Sequence, residues 1–480
     1  MKQEYVIYAG RQLPVIAEAD LGVAGGGPSG VAAAVAAARG GLKTLLVESG
    51  IALGGLQTLG LVEPCMPTLT AGSDTPYVAE LKKRLEKAGI EHFDGKTGAC
   101  WTNPEVLASL YDDLTREAGV QVLYHSTLVD VVMEKDSMTV AASDSANLLA
   151  GSGASGKLSG TIKALILHTL QGLVAVKAAA FIDATGDAVL ARLAGVPVEA
   201  GYEKTGHNQP MSFRFEMGGI DIERLHQYIL SIHDDWCKTA PPHFEIAQAR
   251  HRAIKYKLEK FFLQGVRSGE LKEEDAEYFQ AFTIPGKPGC MSMNCPELPV
   301  RFKAVEALSY SEGVVYGRAM IRRLSRYLIK HLPGFEGAYL SREAGMLGAR
   351  ESFRIKGCYY MTEADYYARR RFKDAVVRTA WYIDAHGEKV GEYLKTGEFY
   401  EIPYRCLITN EIANLAVTGR CISVSFILEA SMRIQPTCMS IGEAAGLAAA
   451  WAKEHQLALN QVKWEDLPRS RRSYVSAGVE

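Results

Sequence analysis

The sequence lacks any long hydrophobic run: across its 480 residues, no apolar stretch reaches the roughly 18 residues that a helix needs to cross a bilayer. It has little excess charge, with a net charge of −2, which argues against a nucleic-acid-binding surface or a polybasic membrane patch. Its first residues, MKQEYVIYAG, lack the charged-then-apolar pattern of a signal peptide. These absences predict a cytoplasmic protein whose partners include neither nucleic acid nor membrane.

The sequence is also poor in metal-ligand patterns. Its nine cysteines are scattered, no CxxC occurs, and Cys290 and Cys295 form the only close pair. One such pair is too little for a zinc site or an iron–sulfur cluster. We therefore expect reduced thiols and no bound metal.

What the sequence does have is a glycine-rich turn near its N-terminus. A short apolar run at 21–24 leads into Gly25-x-Gly27-x-x-Gly30, an alanine-rich segment follows, and a second apolar run ends at Glu48. That order predicts a strand, a glycine turn, a helix, a second strand and an acidic residue.

Each part of this pattern has a physical role in binding a dinucleotide. Gly25 permits the tight turn, Gly27 lets the backbone approach a pyrophosphate, and Gly30 lets helix and strand pack closely. The helix N-terminus offers N–H groups to the phosphates. Glu48 stands at the spacing of a carboxylate that accepts hydrogen bonds from ribose hydroxyls. The alternative interpretation is a structural glycine turn in an unrelated α/β unit.

The segment after this unit continues in strands and helices. Asn103 and Pro104 predict the start of a helix that ends at Ala118. Residues 136–160, rich in Ser, Ala and Gly, predict a solvated hairpin loop. Around that loop the β-branched and apolar runs predict strands, at 120–133 (two strands), 164–170, 172–178 and 181–186.

The predicted secondary structure changes twice along the chain. Between 196 and 340 helical patterns dominate, at 246–262 and 304–330, and then strand and small-residue helix patterns return near 413–420 and 441–451. We therefore predict three parts: the N-terminal part of a cofactor-binding domain at 1–195, an inserted substrate domain at 196–340, and the C-terminal part of the cofactor-binding domain at 341–480.

Several separated motifs together resemble one known family. ADLGVAGGGPSG, FIDATGD and NLAVTGRCIS resemble three signatures of FAD-dependent oxidoreductases in the glutathione-reductase/succinate-dehydrogenase flavoprotein superfamily. GMLGARESFRIKGCYYMTEAD, EIPYRCLI and SMRIQPTCMSIGEAAGLAAA resemble a bacterial branch of it. The resemblance implies an α/β fold: a Rossmann-like FAD-binding lobe of glutathione-reductase type, with an inserted mixed α/β substrate lobe.

The resemblance also implies bound FAD and indicates its contacts. No histidine lies just after Gly54-Gly55, where relatives with covalent FAD place one, so we expect non-covalent FAD, with Cys65 as the alternative point of attachment. The candidate cofactor-binding residues lie in the motifs and the strand pattern above; they are Gly25, Gly27, Pro28, Ser29, Gly30, Glu48, Ser49, Gly54, Gly55, Val129, Gly186, Asp187, Gly419, Gly442 and Glu443.

Four arginines are candidates for holding the substrate. Arg433 precedes a predicted helix whose N-terminus would face the flavin, and it resembles the arginine that lines the substrate pocket of fumarate reductase-like proteins. Arg350 and Arg354 would share a face if their segment is helical, and could then clamp a carboxylate or phosphate. Arg405 is a further candidate. For all four the alternative is a structural ion pair, which for Arg350 and Arg354 would join the two lobes.

We expect a histidine to transfer the proton, because an imidazole titrates near neutral pH. His386 is the first candidate and His207 the second; the alternative for His386 is a solvated residue in a turn. Cys438 lacks a second cysteine nearby and is better explained as a packed thiol.

The predicted function is that of an FAD-dependent oxidoreductase. It would transfer a hydride between a small polar metabolite, hydroxylated or carboxylated, and FAD, and would use an unidentified electron acceptor. One alternative is a flavin-carrying electron-transfer subunit of a larger complex. Another is a nicotinamide-only dehydrogenase, which the late ATGD and GEAAG motifs disfavour. The sequence leaves open the substrate, the direction of reaction and whether the chain forms a homo-oligomer.

Overall fold

A computed structural model describes residues 4–66, 74–90, 92–93, 100–135, 160–234, 240–250, 256–386 and 391–476. The predicted hairpin loop at 136–160 lies outside these residues, apart from its last position. No helix in the described ranges is both long enough and apolar enough to cross a membrane.

The described chain contains twenty strands and ten α-helices. The strands are β1 (Tyr5–Tyr8), β2 (Arg11–Ala24), β3 (Thr44–Val47), β4 (Pro64–Cys65), β5 (His92–Phe93), β6 (Cys100–Trp101), β7 (Gln121–Leu123), β8 (Thr127–Lys135), β9 (Gly160–Thr169), β10 (Gly172–Asp183), β11 (Val198–Ala200), β12 (Phe215–Gly218), β13 (Glu245–Ala249), β14 (Tyr278–Thr283), β15 (Met291–Met293), β16 (Tyr339–Glu343), β17 (Phe353–Ile355), β18 (Ala375–Thr379), β19 (Tyr400–Pro403) and β20 (Leu415–Val417). The helices are α1 (Pro28–Arg39), α2 (Pro76–Ala88), α3 (Pro104–Ala118), α4 (Val189–Leu193), α5 (Ile222–Ser231), α6 (Glu259–Ser268), α7 (Ala307–His331), α8 (Glu363–Tyr367), α9 (Phe426–Met432) and α10 (Gln435–Glu454).

Within the described residues, eight strands form the larger sheet, and five of them, β7, β3, β2, β10 and β20, run parallel to one another. Its order is β7-β3-β2-β10-β9-β8, with β1 added to β2 and β20 added to β10. Strand β2 runs parallel to both β3 and β10, and β10 runs parallel to β20. The carboxyl ends of these strands therefore meet at one edge, the place where open α/β sheets bind ligands.

The predicted strand–turn–helix–strand unit is confirmed. Strand β3 begins at Thr44 and ends at Val47, as the apolar run predicted, and every residue in it is buried. Helix α1 starts three residues before the predicted alanine-rich segment, because Pro28 suits the first turn of a helix. Helix α3 also has its predicted cap: the Asn103 side chain accepts hydrogen bonds from the backbone N–H groups of Glu105 and Val106.

The second sheet has five antiparallel strands in the order β13-β14-β15-β12-β16. One face packs against α7 and α6 through fully buried side chains such as Phe215, Met293, Met320 and Leu324. The helix predicted at 246–262 is wrong over its first residues, which form β13 and pair with the aromatic-rich strand β14. Pairing with a neighbouring strand overrides local helix preference in this segment.

The positions of the two sheets along the chain agree with a lobe inserted into another. Strands of the larger sheet lie between residues 5 and 183 and again at 415–417, while those of the second sheet lie between 215 and 343. A short two-stranded sheet of β11 and β17 joins the segments on either side of the second sheet. The predicted α/β class with a Rossmann-like lobe is confirmed, and the domain boundaries at 195 and 340 stay predictions.

Candidate functional site

A cavity of about 480 Å³ lies at the carboxyl edge of the parallel strands. Its walls come from both ends of the chain: the turn after β2, the end of β3, the turn after β10, and the residues that follow β20. Ten of the predicted cofactor-binding residues line it: Gly25, Gly27, Pro28, Ser29, Glu48, Ser49, Gly55, Gly186, Asp187 and Gly419.

The glycine turn after β2 has the geometry that its sequence predicted. Gly25 has a φ of +100°, and a Cβ there would lie 2.5 Å from the carbonyl oxygen of Ala184. A Cβ on Gly30 would lie 1.9 Å from the oxygen of Gly25, so this position holds helix and turn together. By contrast, a Cβ on Gly27 would meet no atom of the described residues within 4 Å. The backbone at Gly27 is therefore open toward the cavity.

Glu48 is held in place at the end of β3. Only 8% of it is exposed, and its carboxylate accepts hydrogen bonds from the backbone N–H groups of Gly26 at 2.7 Å and Gly50 at 2.6 Å. These bonds orient the carboxylate against the glycine turn while it still lines the cavity. A carboxylate fixed in this way is suited to accept hydrogen bonds from a ribose.

The N-terminus of α10 reaches the opposite wall. Gln435 and Cys438, in its first turn, line the cavity, and no side chain in the described part of the chain caps this end of the helix. Arg433 lines the cavity beside them. Its guanidinium donates to the Asp384 carbonyl oxygen at 3.3 Å and lies 3.6 Å from the Asp384 carboxylate. Its Nε is buried and has no hydrogen-bond partner in the described ranges.

A chain of alternating charges runs from Arg433 away from the cavity. Asp384 lies 3.4 Å from Nε2 of His386, whose Nδ1 lies 3.0 Å from the carboxylate of Glu297. Glu297 in turn pairs with Arg350 at 2.6 Å. Since Glu297 follows β15 of the second sheet, this chain of charges connects the second lobe to Arg433, which borders the cavity.

The charges along this chain stabilise one another. Burial lowers the pKa of His386, but the carboxylates of Glu297 and Asp384 outweigh it, so the net pKa is raised. Burial raises the pKa of Glu297, but Arg350 and His386 lower it to about 2. His386 is therefore favoured as a partly buried cation between two carboxylates, which does not suit the general base that its sequence position suggested.

Five predicted cofactor contacts lie outside the cavity lining, and four of these have packing roles. Gly30 holds helix to turn as described, and Gly54 is a turn residue with a φ of +100° that packs against Thr58. Gly442 contacts α1: a Cβ there would lie 2.1 Å from the Ser29 carbonyl oxygen. Glu443 is buried and accepts a hydrogen bond from the N–H of Tyr77 at 3.2 Å.

Val129 is the fifth of these residues. It lies on β8 with 39% of its surface exposed, whereas its neighbours Thr127 and Leu128 line the cavity. The pairing of β8 with β9 shifts register between Leu128 and Asp130, at the position of Val129. The structure therefore places Val129 on the strand that borders the cavity but outside the lining, and its contact with the cofactor stays a prediction.

Arg354 and Arg405 do not reach the cavity. Arg354 lies on a strand rather than a helix, is 1% exposed, and donates to the Glu351 carboxylate and to the Val424 carbonyl oxygen at 3.0 Å. Arg405 forms an ion pair with Asp374 at 2.9 Å on the surface. Both are structural ion pairs. Arg350 pairs with Glu297, which belongs to the second lobe. This contact corresponds to the alternative of an ion pair that joins the two lobes.

Three further candidates, His207, Cys65 and Cys438, have surroundings that do not favour the roles considered for them. His207 is exposed and does not line the cavity, and Cys65 is buried on β4, also outside the lining. Cys438 does line the cavity, but burial raises its pKa to about 12, which keeps the thiol protonated. Nothing in the cavity therefore suggests thiolate chemistry.

Sequence reasoning missed several residues of the lining. Arg420 follows Gly419 directly and pairs with Asp187 across the cavity wall, a role that the strand-then-glycine pattern did not reveal. Gln57 and Gln435 meet at 2.6 Å, although they stand far apart in the chain. Gly345 and Met346, which follow β16, bring the end of the second sheet to the cavity. Long-range pairings of this kind leave no local sequence signal.

The residues present fit a dinucleotide with a flavin. The open backbone at Gly27 and the uncapped N-terminus of α1 provide a cradle for a pyrophosphate. Glu48 stands where a ribose would be held, and the N-terminus of α10 adds positive dipole at the far wall.

Comparison with a family model agrees with this assignment. A family model described as FAD dependent oxidoreductase matches residues 20–470. No curated protein matches the chain. Among solved structures, a geranylgeranyl bacteriochlorophyll reductase-like protein from Thermoplasma acidophilum is 13% identical, with a TM-score of 0.45 over 92% of this chain and 80% of its own. The p-nitrophenol 4-monooxygenase of Pseudomonas putida DLL-E4 is 9% identical, with a TM-score of 0.46 over 93% and 83%.

Proposed function

The chain belongs to the FAD-dependent oxidoreductase family, and from that premise we propose that it transfers a hydride between a small anionic metabolite and non-covalently bound FAD. FAD supplies the two-electron redox chemistry, and the protein binds and orients both partners. An unidentified electron acceptor would complete the catalytic cycle.

The observation that carries this proposal is the position of Arg433. Of the four candidate arginines in the sequence, it alone lines the cavity. Asp384 engages one side of its guanidinium, while its Nε is left without a partner among the described residues. A planar guanidinium with donors to spare suits a carboxylate or neighbouring oxygens.

The chain of charges behind Arg433 supports a positioning role for His386. Because His386 is held between Asp384 and Glu297, it stabilises the carboxylate that orients Arg433. His386 touches no cavity surface directly. We therefore assign it to positioning rather than to proton transfer.

The experiment is an anaerobic screen of hydroxy acids and related carboxylates for bleaching of the protein-bound flavin. For a metabolite that bleaches it, Arg433→Lys should leave the flavin spectrum nearly unchanged and slow the reduction by at least about tenfold, or about 1.4 kcal/mol of transition-state stabilisation. Lysine keeps the charge and loses the planar fork.

Arg405→Lys serves as the matched control, since Arg405 pairs with Asp374 away from the cavity. Normal reduction in the Arg433→Lys variant, with only a lower melting temperature, would make Arg433 a structural residue. If no small molecule bleaches the flavin but a reduced protein partner does, the alternative of an electron-transfer subunit is favoured.

A further inference from the structure

A buried acid lies directly behind the cavity wall that carries Arg433. Glu429, on α9, is fully buried, and its Oε2 accepts a hydrogen bond from Nε2 of Gln209 at 3.0 Å. Its second oxygen, Oε1, is buried with no partner in the described part of the chain. A polar atom left in this way is unusual enough in a folded protein to need an explanation.

The surroundings of Glu429 tie it to the cavity. Arg433 follows one turn later, with its N–H donating to the Glu429 carbonyl oxygen at 3.0 Å. Arg433 and Arg420 both line the cavity, and the Nε of each is buried without a partner among the residues described. Gln209 also has an unpartnered buried oxygen. Two residues of the cavity lining and two residues outside it, Glu429 and Gln209, thus each have a buried polar atom without a partner among the described residues.

The charged groups around Glu429 come from several elements. Arg433 and Arg420 border the cavity, Arg354 and Glu351 lie behind, and the Cys438 thiol is on α10. Burial raises the pKa of Glu429 to about 8, although Arg433, Arg354 and Arg420 act to lower it. The arginines already have carboxylate partners of their own, Asp384 for Arg433 and Asp187 for Arg420.

We propose that Glu429 is a positioning residue whose proton makes the Arg420–Arg433 pair available to an anionic substrate, so that a carboxylate and a proton bind together. With Glu429 neutral, the guanidiniums of Arg420 and Arg433 at the cavity wall are free of a third carboxylate, and a substrate carboxylate meets no competing charge. With Glu429 ionised, a third carboxylate competes for the same two guanidiniums and repels the ligand. The inference rests on the proposed function and assigns it carboxylate substrates.

The test uses malonate, a redox-inert dicarboxylate that stays fully ionised above neutral pH, and follows its binding by the absorbance of the bound flavin. In the FAD-loaded wild-type protein, the dissociation constant should rise about tenfold between about pH 7 and about pH 9. In Glu429→Gln, which keeps the neutral shape of the protonated acid, malonate should bind at both pH values with little change.

Glu443→Gln is the matched control. Glu443 is a buried acid with one oxygen bonded to the N–H of Tyr77 and the other unpartnered among the described residues, and burial raises its pKa as well, but it does not line the cavity. This variant should keep the pH dependence of the wild-type protein. A second measurement needs no variant: calorimetry in two buffers of different ionisation heat should show proton uptake on malonate binding near pH 8 and above.

The outcomes separate the two proposals. Malonate that binds wild-type protein equally at both pH values without proton uptake, or a pH dependence that survives in Glu429→Gln, would overturn the role of Glu429 and leave Arg433 in place. Malonate that binds at neither pH would overturn the anionic substrate, and the inference with it. A loss of binding in Arg433→Lys at both pH values is expected on either account.

Discussion

At the scale of single residues, the site depends on groups that the fold holds in unusual surroundings. Glu48 is a buried carboxylate kept in place by two backbone N–H groups, and Arg433 is an arginine with an unused donor at a cavity wall. The sequence predicted both, because each sits next to a motif with a local signature. Arg354 stands in an equally suggestive motif, but its partners come from distant segments that only the fold brings together.

Glu48→Ala should weaken FAD binding about 10- to 100-fold, because the variant loses hydrogen bonds from a charged group worth about 1.5–3 kcal/mol. The loss of the bonds to Gly26 and Gly50 would also loosen the glycine turn. Titration of the apoprotein with FAD, followed by flavin fluorescence, measures the effect. Glu134→Ala, at an exposed surface position, should bind FAD like the wild-type protein. Equal FAD affinity in the two variants would place the ribose elsewhere.

At the scale of elements, the small residues of α10 have a different role from the one that the family motif suggested. A Cβ on Gly442 would lie 2.1 Å from the Ser29 carbonyl oxygen, and one on Gly446 would lie 2.2 Å from that of Ala33. These glycines let α10 pack against α1 at close range. The sequence predicted a small-residue helix here but not that α1 is its neighbour. A run of small residues indicates that another element packs closely, but it does not identify that element.

Gly442→Ala should destabilise the protein by about 1–3 kcal/mol, the usual cost of overpacking, and should also displace the start of α1 that lines the cavity. The melting temperature and the flavin retained after mild heating are the measurements. Gly337→Ala is the control, since a Cβ there would find its nearest neighbour, the Gly219 oxygen, at an ordinary 3.5 Å. A Gly442→Ala protein as stable as the control would contradict the close packing of α1 and α10.

At the scale of the whole molecule, the two lobes meet along the charged chain from Arg433 to Arg350. Local patterns predicted the first lobe well, since its βαβ unit and capped helices are specified by neighbouring residues. The second lobe was harder to predict, as β13 shows: its strand character depends on pairing with β14 about 30 residues away. The sequence suggested an ion pair that joins the lobes as the alternative role for Arg350, but nothing in it identified Glu297 as the partner.

His386→Gln should lower stability by an amount that depends on pH. Because the pKa of His386 is raised in the folded protein, its contribution is fully present below the pKa of the unfolded chain and is lost as pH rises through the folded value. The difference in melting temperature between wild type and variant should therefore be largest in mildly acidic solution and shrink in alkaline solution. His207→Gln, at an exposed position, should show no such difference. A gap that stays constant with pH would mean that His386 is not held as a cation in the folded protein.

The most direct test of the whole account is the flavin content of the purified protein. We expect a yellow protein that carries one FAD per chain, and we expect acid precipitation to release the flavin into the supernatant. Flavin that stays with the precipitate would point to covalent attachment. A colourless protein that takes up no added FAD would contradict the central claim that the cavity at the carboxyl edge of the parallel strands is a flavin site.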